Sequence, residues 1–254
     1  GLARQSWYAV PCCPSNLSRT LARLGQYLIS TGEGGLFVHQ YISSKGKEIL
    51  IPGSQGGQIE ICLDLESGLP WEGQTRITLT GVSGSPSSLP AGFEIRLRRP
   101  AWAGQAVVKI DAESVLPSSL ESGMYDGAAS GYDPRPAVFL SLKHPWTAGS
   151  VIDISFDLPV RLLQAHPKVK SQRGRAAVTR GPLVFCLEDV DNPGVDLFKA
   201  RLDPKSLAPT FDPNLLGGTI KIQAKTTEGC PLTFIPYFLW GNRGSSRMNV
   251  WVNV

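Results

Sequence analysis

Gln58-Ile59-Glu60-Ile61-Cys62-Leu63-Asp64-Leu65 alternates apolar and polar side chains without a break. Successive side chains of a strand point to opposite faces, so this period of two puts Ile59, Ile61, Leu63 and Leu65 on one buried face. The same alternation recurs outward from here, over 75–79, 93–98, 107–110, 138–142 and 151–158. Further short strand-like runs follow over 176–179, 183–187, 219–222 and 248–252. Residues 36–42, β-branched and aromatic, read as a further strand that Ser43-Ser44-Lys45-Gly46 breaks. The 254 residues carry 27 Gly and 20 Pro, spread along the chain and not gathered in one tract. Many short strands between turn signals, with no helices among them, predict a mainly β fold of antiparallel sandwiches. Segment 111–136, rich in Ser, Gly and Pro, reads as a long loop.

One stretch departs from this rule. After Pro14-Ser15-Asn16, leucines recur at Leu17, Leu21, Leu24 and Leu28, with Arg19, Arg23 and Gln26 on the opposite face. The spacing predicts a helix over 15–29, ended by Thr31-Gly32 and Gly34-Gly35. Proline suits the first turn, where a missing N–H costs nothing. An isolated helix of about 16 residues is marginal in water, so the leucine stripe calls for a partner.

Charge and composition exclude several classes. No run of 18 apolar residues exists, which argues against a membrane-spanning helix, and the first residues lack a basic-then-apolar leader. Secretion stays open, because the chain has no initiator Met. The net charge of +4, from 25 basic and 21 acidic residues, is too small and too evenly spread for a nucleic-acid partner. Lys168, Lys170, Arg173, Arg175 and Arg180 form the one basic cluster and read as a solvated strand face. Five cysteines, an odd number at irregular spacing, are not a disulfide framework and favour a reducing compartment such as the cytoplasm.

The chemistry, if this chain holds any, lies in Pro11-Cys12-Cys13-Pro14. The partial positive charge at a helix N-terminus favours a thiolate, the form that attacks carbon or binds metal. Adjacent cysteines strain when bridged to each other, yet both can face one metal. Both can also be small buried hydrophobes, the commoner fate of free cysteine. Cys62, Cys186 and Cys230 have no partners at ligand spacing and read as core filler. His39, His144 and His166 are scattered through β segments and read as structural or surface residues. Trp71, Trp102, Trp146 and Trp240 would be sugar platforms in a free-standing carbohydrate-binding sandwich, though tryptophan in a sandwich is more often core.

Arg4-Gln5-Ser6-Trp7-Tyr8, then Cys12-Cys13-Pro14-Ser15-Asn16 and the Arg19…Leu24-Gly25-Gln26-Tyr27 helix, resemble glycoside hydrolase family 127. The resemblance continues through Pro70-Trp71-Glu72-Gly73, Leu97-Arg98-Arg99-Pro100-Ala101-Trp102-Ala103 and Gly131-Tyr132. It extends to Leu158-Pro159-Val160-Arg161, Arg180-Gly181-Pro182-Leu183, Asp191-Asn192-Pro193 and Ile235-Pro236-Tyr237…Trp240-Gly241-Asn242-Arg243-Gly244. The landmarks run nearly end to end in the family's order. What the resemblance implies is the C-terminal portion of a retaining β-L-arabinofuranosidase-like enzyme. Residues 1–32 would be the end of an (α/α)6 catalytic barrel, 33–160 a first β-sandwich and 161–254 a second. By the same resemblance, Cys12 is the nucleophile and a zinc ligand, and Cys13 a second ligand of that Zn2+. The general acid/base and the other ligands would lie outside this chain. The expected partner is an L-arabinofuranoside or related glycan, with no nucleic acid, no membrane and a homodimer left open. The alternative is a non-catalytic sandwich that binds carbohydrate or supports a catalytic domain.

Overall fold

The structure, a computed structural model, describes residues 3–4, 10, 12–32, 34–53, 57–84, 89–120 and 138–254. Gln5–Tyr8, Gly131-Tyr132 and most of the expected 111–136 loop lie outside the described residues. The chain divides into two compact units near Asp157–Leu158.

The first unit begins with α1 (Cys12–Ala22), followed by a 3-10 turn (Leu24–Tyr27). Its strands are β1 (Ile29–Gly32), β2 (Gly35–Val38), β3 (Ser44–Pro52), β4 (Gln58–Ser67), β5 (Gln74–Gly84) and β6 (Glu94–Arg99). They continue as β7 (Ala106–Ile110), β8 (Glu113–Val115), β9 (Ser118–Leu120), β10 (Val138–Lys143) and β11 (Val151–Phe156). Two sheets result, in the orders β1-β2-β6-β10-β9 and β3-β4-β5-β11-β7-β8. Pairing is antiparallel except between β2 and β6, where Gly35 lies so close to the Glu94 carbonyl that a Cβ would stand 2.1 Å from it. Each sheet turns one face inward. Ile59, Ile61, Leu63 and Leu65 from β4, with Ile77 and Leu79 from β5, meet Leu36, Val38, Ile95 and Leu97 in the core, all essentially excluded from water. The alternation that decided the fold is this sandwich's inward face.

The second unit is antiparallel throughout its named strands. It contains β12 (Val160–Gln164), β13 (Arg175–Arg180), β14 (Leu183–Glu188), β15 (Ala208–Asp212), β16 (Thr219–Lys225), β17 (Pro231–Pro236), β18 (Met248–Asn249) and β19 (Trp251–Asn253). The order is β12-β13-β14-β17-β16-β15. Beyond their shared hairpin end β13 and β14 diverge, and β19 and β18 pair with them there. Phe185, Leu187, Leu197, Ile222, Phe234 and Ile235 fill its core.

The described residues correct the sequence reading in several places. The helix expected over 15–29 is shorter: α1 stops at Ala22, and Ile29, instead of ending a helix, pairs with Val38 in the β1–β2 hairpin. Strand pairing and the burial of Leu28 and Ile29 outweigh the leucine period there. The 36–42 strand ends at Val38, and Tyr41 instead donates its hydroxyl to the Arg98 carbonyl at 2.7 Å. Ser44-Lys45-Gly46, read as part of a break, instead open the nine-residue edge strand β3 (Ser44–Pro52); its Lys45 and Lys47 are the charges that keep an edge from pairing with strangers. Two short strands, β8 and β9, occupy part of the expected 111–136 loop. The basic cluster is not one strand face, since Lys168, Lys170 and Arg173 lie in and around a 3-10 turn and only Arg175 and Arg180 lie in β13. Of the three cysteines read as core, only Cys186 is buried. Cys62 faces outward on β4 and Cys230 is exposed.

Candidate active site

Cys12 and Cys13 are the first two residues of α1. Their sulfurs stand 3.8 Å apart, unbridged, and both residues are exposed. No acidic residue occupies the first turn. The polar face braces itself: Ser15 Oγ donates to the Cys12 carbonyl at 3.1 Å and Ser18 Oγ to the Pro14 carbonyl at 3.0 Å. Arg19 donates to the Asn16 side-chain oxygen. The apolar face is bare. Leu17 and Leu21 are each 60% exposed, and no residue of α1 is buried. Only toward its end does the leucine stripe pack, where Leu24 is half-buried and Leu28 is 4% exposed.

Two thiols at one helix start suit a soft divalent ion, but zinc takes about four ligands. Among the described residues no group of three or more His, Cys, Asp or Glu side chains converges as a metal site. Two thiols could supply at most two of those four ligands. None of the histidines joins them, and none lies in a strand. His39 Nε2 meets Ser30 Oγ at 2.7 Å and stands beside the Phe37 and Phe139 rings. His144 faces Asp111 at 3.2 Å, and exposed His166 accepts the Lys168 backbone N–H.

The tryptophans do not form open platforms. Trp146 is buried and donates its indole N–H to the Phe93 carbonyl at 3.1 Å. Trp102 packs edge-on to Phe156, Trp71 is half-buried, and the Arg4 guanidinium lies over Trp240 at 5.5 Å. Sequence reading missed the residues that anchor the last landmark. Glu188, only 1% exposed, accepts the Gly241 N–H at 2.8 Å and pairs with Arg243 at 2.9 Å. Arg243 also holds Asp191 at 2.7 Å. A glutamate ending an apolar strand run was the available signal, since a charge there needs a partner.

Comparison with known proteins identifies the frame that carries this site. The domain described as "Beta-L-arabinofuranosidase, GH127 middle domain" matches residues 35–158, and "Glycoside hydrolase family 127 C-terminal domain" matches 160–253. The chain belongs to glycoside hydrolase family 127. A curated relative of this family 127 chain, the non-reducing end β-L-arabinofuranosidase of Bifidobacterium longum subsp. longum, is 28% identical over 277 aligned positions. That alignment covers 97% of the chain and 37% of the relative. Among solved structures, a family 127 β-L-arabinofuranosidase from Geobacillus stearothermophilus T6 superposes with a TM-score of 0.75 at 31% identity, covering 100% of the chain and 39% of that protein. A second family 127 β-arabinofuranosidase gives 0.73 at 27% identity, covering 99% and 40%. The family 127 chain thus spans about two fifths of the length of each relative.

Proposed function

We propose that this chain is the C-terminal part of a retaining glycoside hydrolase that cleaves β-L-arabinofuranosides, with Cys12 as its nucleophile. The observation that carries the reading is the pair of exposed, unbridged thiols at the start of α1, in a chain of this family. Residues 1–32 complete the catalytic barrel in this reading, and 33–160 and 161–254 are the two sandwiches. The uncovered Leu17 and Leu21 support it, because they are the face a neighbouring barrel helix would cover.

A retaining mechanism needs a nucleophile that attacks the anomeric carbon, forms a covalent glycosyl-enzyme and is then displaced by water. Carboxylates usually fill the role. The Cys12 thiolate takes it here, presented at the start of α1. Cys12 and Cys13 are the residues that would hold zinc, which when bound keeps both thiols deprotonated. Cys13, one residue on, serves as ligand and not as nucleophile. The leaving oxygen needs a proton from a general acid. In this reading the acid belongs to the remainder of the enzyme.

The test is made in the complete enzyme. Cys12→Ser is expected to abolish turnover and weaken metal binding together, because one sulfur does both tasks. Cys13→Ser is expected to weaken metal binding and to regain part of its activity in excess zinc. Mass spectrometry of the enzyme quenched during turnover of an aryl β-L-arabinofuranoside should find the pentosyl group on Cys12. A pentosyl group on any other residue refutes the assignment.

A further inference from the structure

The outer face of the second sheet of the first unit carries a feature that the cysteine site does not use. Four strands meet in register there, so that Glu66, Arg76, Asp153 and Lys109 form one rung across β4, β5, β11 and β7. Such a row of alternating charge commonly does no more than solvate a sheet face. Here a wall makes it a groove. The turn between β4 and β5 contains Pro70-Trp71-Glu72-Gly73, a landmark with no role in the thiol chemistry. Gly68 and Glu72 of this turn, the four residues of the rung and Gln74 of the neighbouring rung line one open cavity of about 550 Å³. Ligand pockets run from about 300 to 1,000 Å³.

The wall is rigid by construction. Gly68 donates to the Gln74 carbonyl at 2.9 Å, and both Trp71 and Glu72 donate back to the Gly68 carbonyl. A Cβ on Gly73 would stand 1.9 Å from the Phe156 carbonyl oxygen, so the turn is seated directly on β11. The floor is equally fixed. Arg76 grips Asp153 through two hydrogen bonds, at 2.8 and 3.1 Å, and the Ser67 and Thr75 hydroxyls meet at 2.8 Å. Glu66, Glu72, Gln74 and Lys109 are left as acceptors and donors around this frame.

The chemistry selects the ligand. Three carboxylates against two cations repel a polyanion. The carboxylates do not converge as a metal site. Interleaved donors and acceptors at near-zero net charge fit a molecule that offers both at each carbon, which is a run of sugar hydroxyls. We propose that this groove binds an uncharged, pentose-containing glycan chain, with Glu72 and Gln74 as its hydrogen-bonding residues. The choice of sugar rests on the arabinofuranosidase reading above; the groove itself does not.

Affinity electrophoresis of the 254-residue chain tests this in gels containing a neutral arabinan, a neutral glucan or polygalacturonate. Retardation is expected in arabinan. Each lost hydrogen bond should weaken it about tenfold in Glu72→Ala and in Gln74→Ala. Both side chains are exposed, and an unchanged circular dichroism spectrum would exclude misfolding. Absence of retardation in every gel overturns the proposal, as does retardation that both variants keep. Preference for polygalacturonate overturns the uncharged class. Retardation by glucan and not arabinan leaves the groove standing and counts against the arabinofuranoside reading. Because uncut polysaccharide is the readout, failure here leaves the cysteine mechanism untouched.

Discussion

At the scale of single residues, two charge arrangements, one buried and one partly exposed, make opposite demands. Glu188 is almost wholly excluded from water, and its ionised form is held by Arg243 and the Gly241 N–H. Arg243→Met would leave that carboxylate facing one backbone donor. Breaking a buried pair from one side is expected to cost about 3 kcal/mol, read as a lower urea midpoint. The double variant with Glu188→Gln should recover part of the loss, since only the Asp191 carboxylate, less deeply buried than Glu188, is then left without Arg243. His39 works the other way. Burial, and then the Arg98 guanidinium, hold its pKa below the ordinary 6.5. The unfolded chain therefore takes up a proton that the folded chain refuses, so this stability is complete above pH 6.5 and declines as the pH falls below it. Glu94, Asp189 and Asp212 are also held below their ordinary values, but those carboxylates lose their contribution only in more acid solution. Urea midpoints measured from about pH 7 to pH 5.5 should fall in the parent chain and stay flat in His39→Gln. A flat parent profile would remove His39 from the account.

At the scale of elements, the same residue type carries opposite weight according to what covers it. Ile61 in β4 is fully buried, and Ile61→Ala is expected to cost about 2–5 kcal/mol. Leu17 and Leu21 are 60% exposed in this chain, so Leu17→Ser and Leu21→Ser should each move stability by no more than about 0.5 kcal/mol. If both serine variants cost as much as Ile61→Ala in the 254-residue chain, the face is covered and the barrel argument fails. The contrast also explains what was legible in the sequence. A period of two is imposed by burial on one face, and β4, β5, β6 and β11 all bury one face, so they could be read directly. Edge strands escaped that reading. β3 opens with Ser44-Lys45-Gly46-Lys47-Glu48, and all but the last residue of β15 is exposed, with Pro209 inside it. Little burial means little pattern. The helix end escaped for another reason, because only the β1–β2 hairpin decides whether Ile29 continues a helix or pairs with Val38.

At the scale of the whole molecule, the cysteine pair was legible because two adjacent thiols before a proline and a helix are a chemical anomaly. The groove was not, because its rung joins Glu66, Arg76, Lys109 and Asp153, which come together only through strand register. Zinc binding by the 254-residue chain measures how much of a metal site it holds. Zinc sites with a full ligand set bind with apparent energies of about 10–16 kcal/mol near pH 7. Two thiolates offer half that set, so the 254-residue chain should take up zinc weakly and surrender it to a chelator. Thiol titration of the folded chain measures this directly. Cys186 is expected to stay silent, since burial, then Glu188 and Asp191, push its pKa up to about 12. Cys62 should lag, its pKa raised by burial and then by Glu60. Cys12, Cys13 and Cys230 are exposed and should react first, and zinc should slow only the first two. The chain should not hydrolyse an aryl β-L-arabinofuranoside, because general acid catalysis alone contributes about 10²–10⁴-fold and no carboxylate converges with the thiols among the described residues. Stoichiometric, chelator-resistant zinc on this chain would require further ligands from within it. Turnover that vanished in Cys12→Ser would require an acid from within it too.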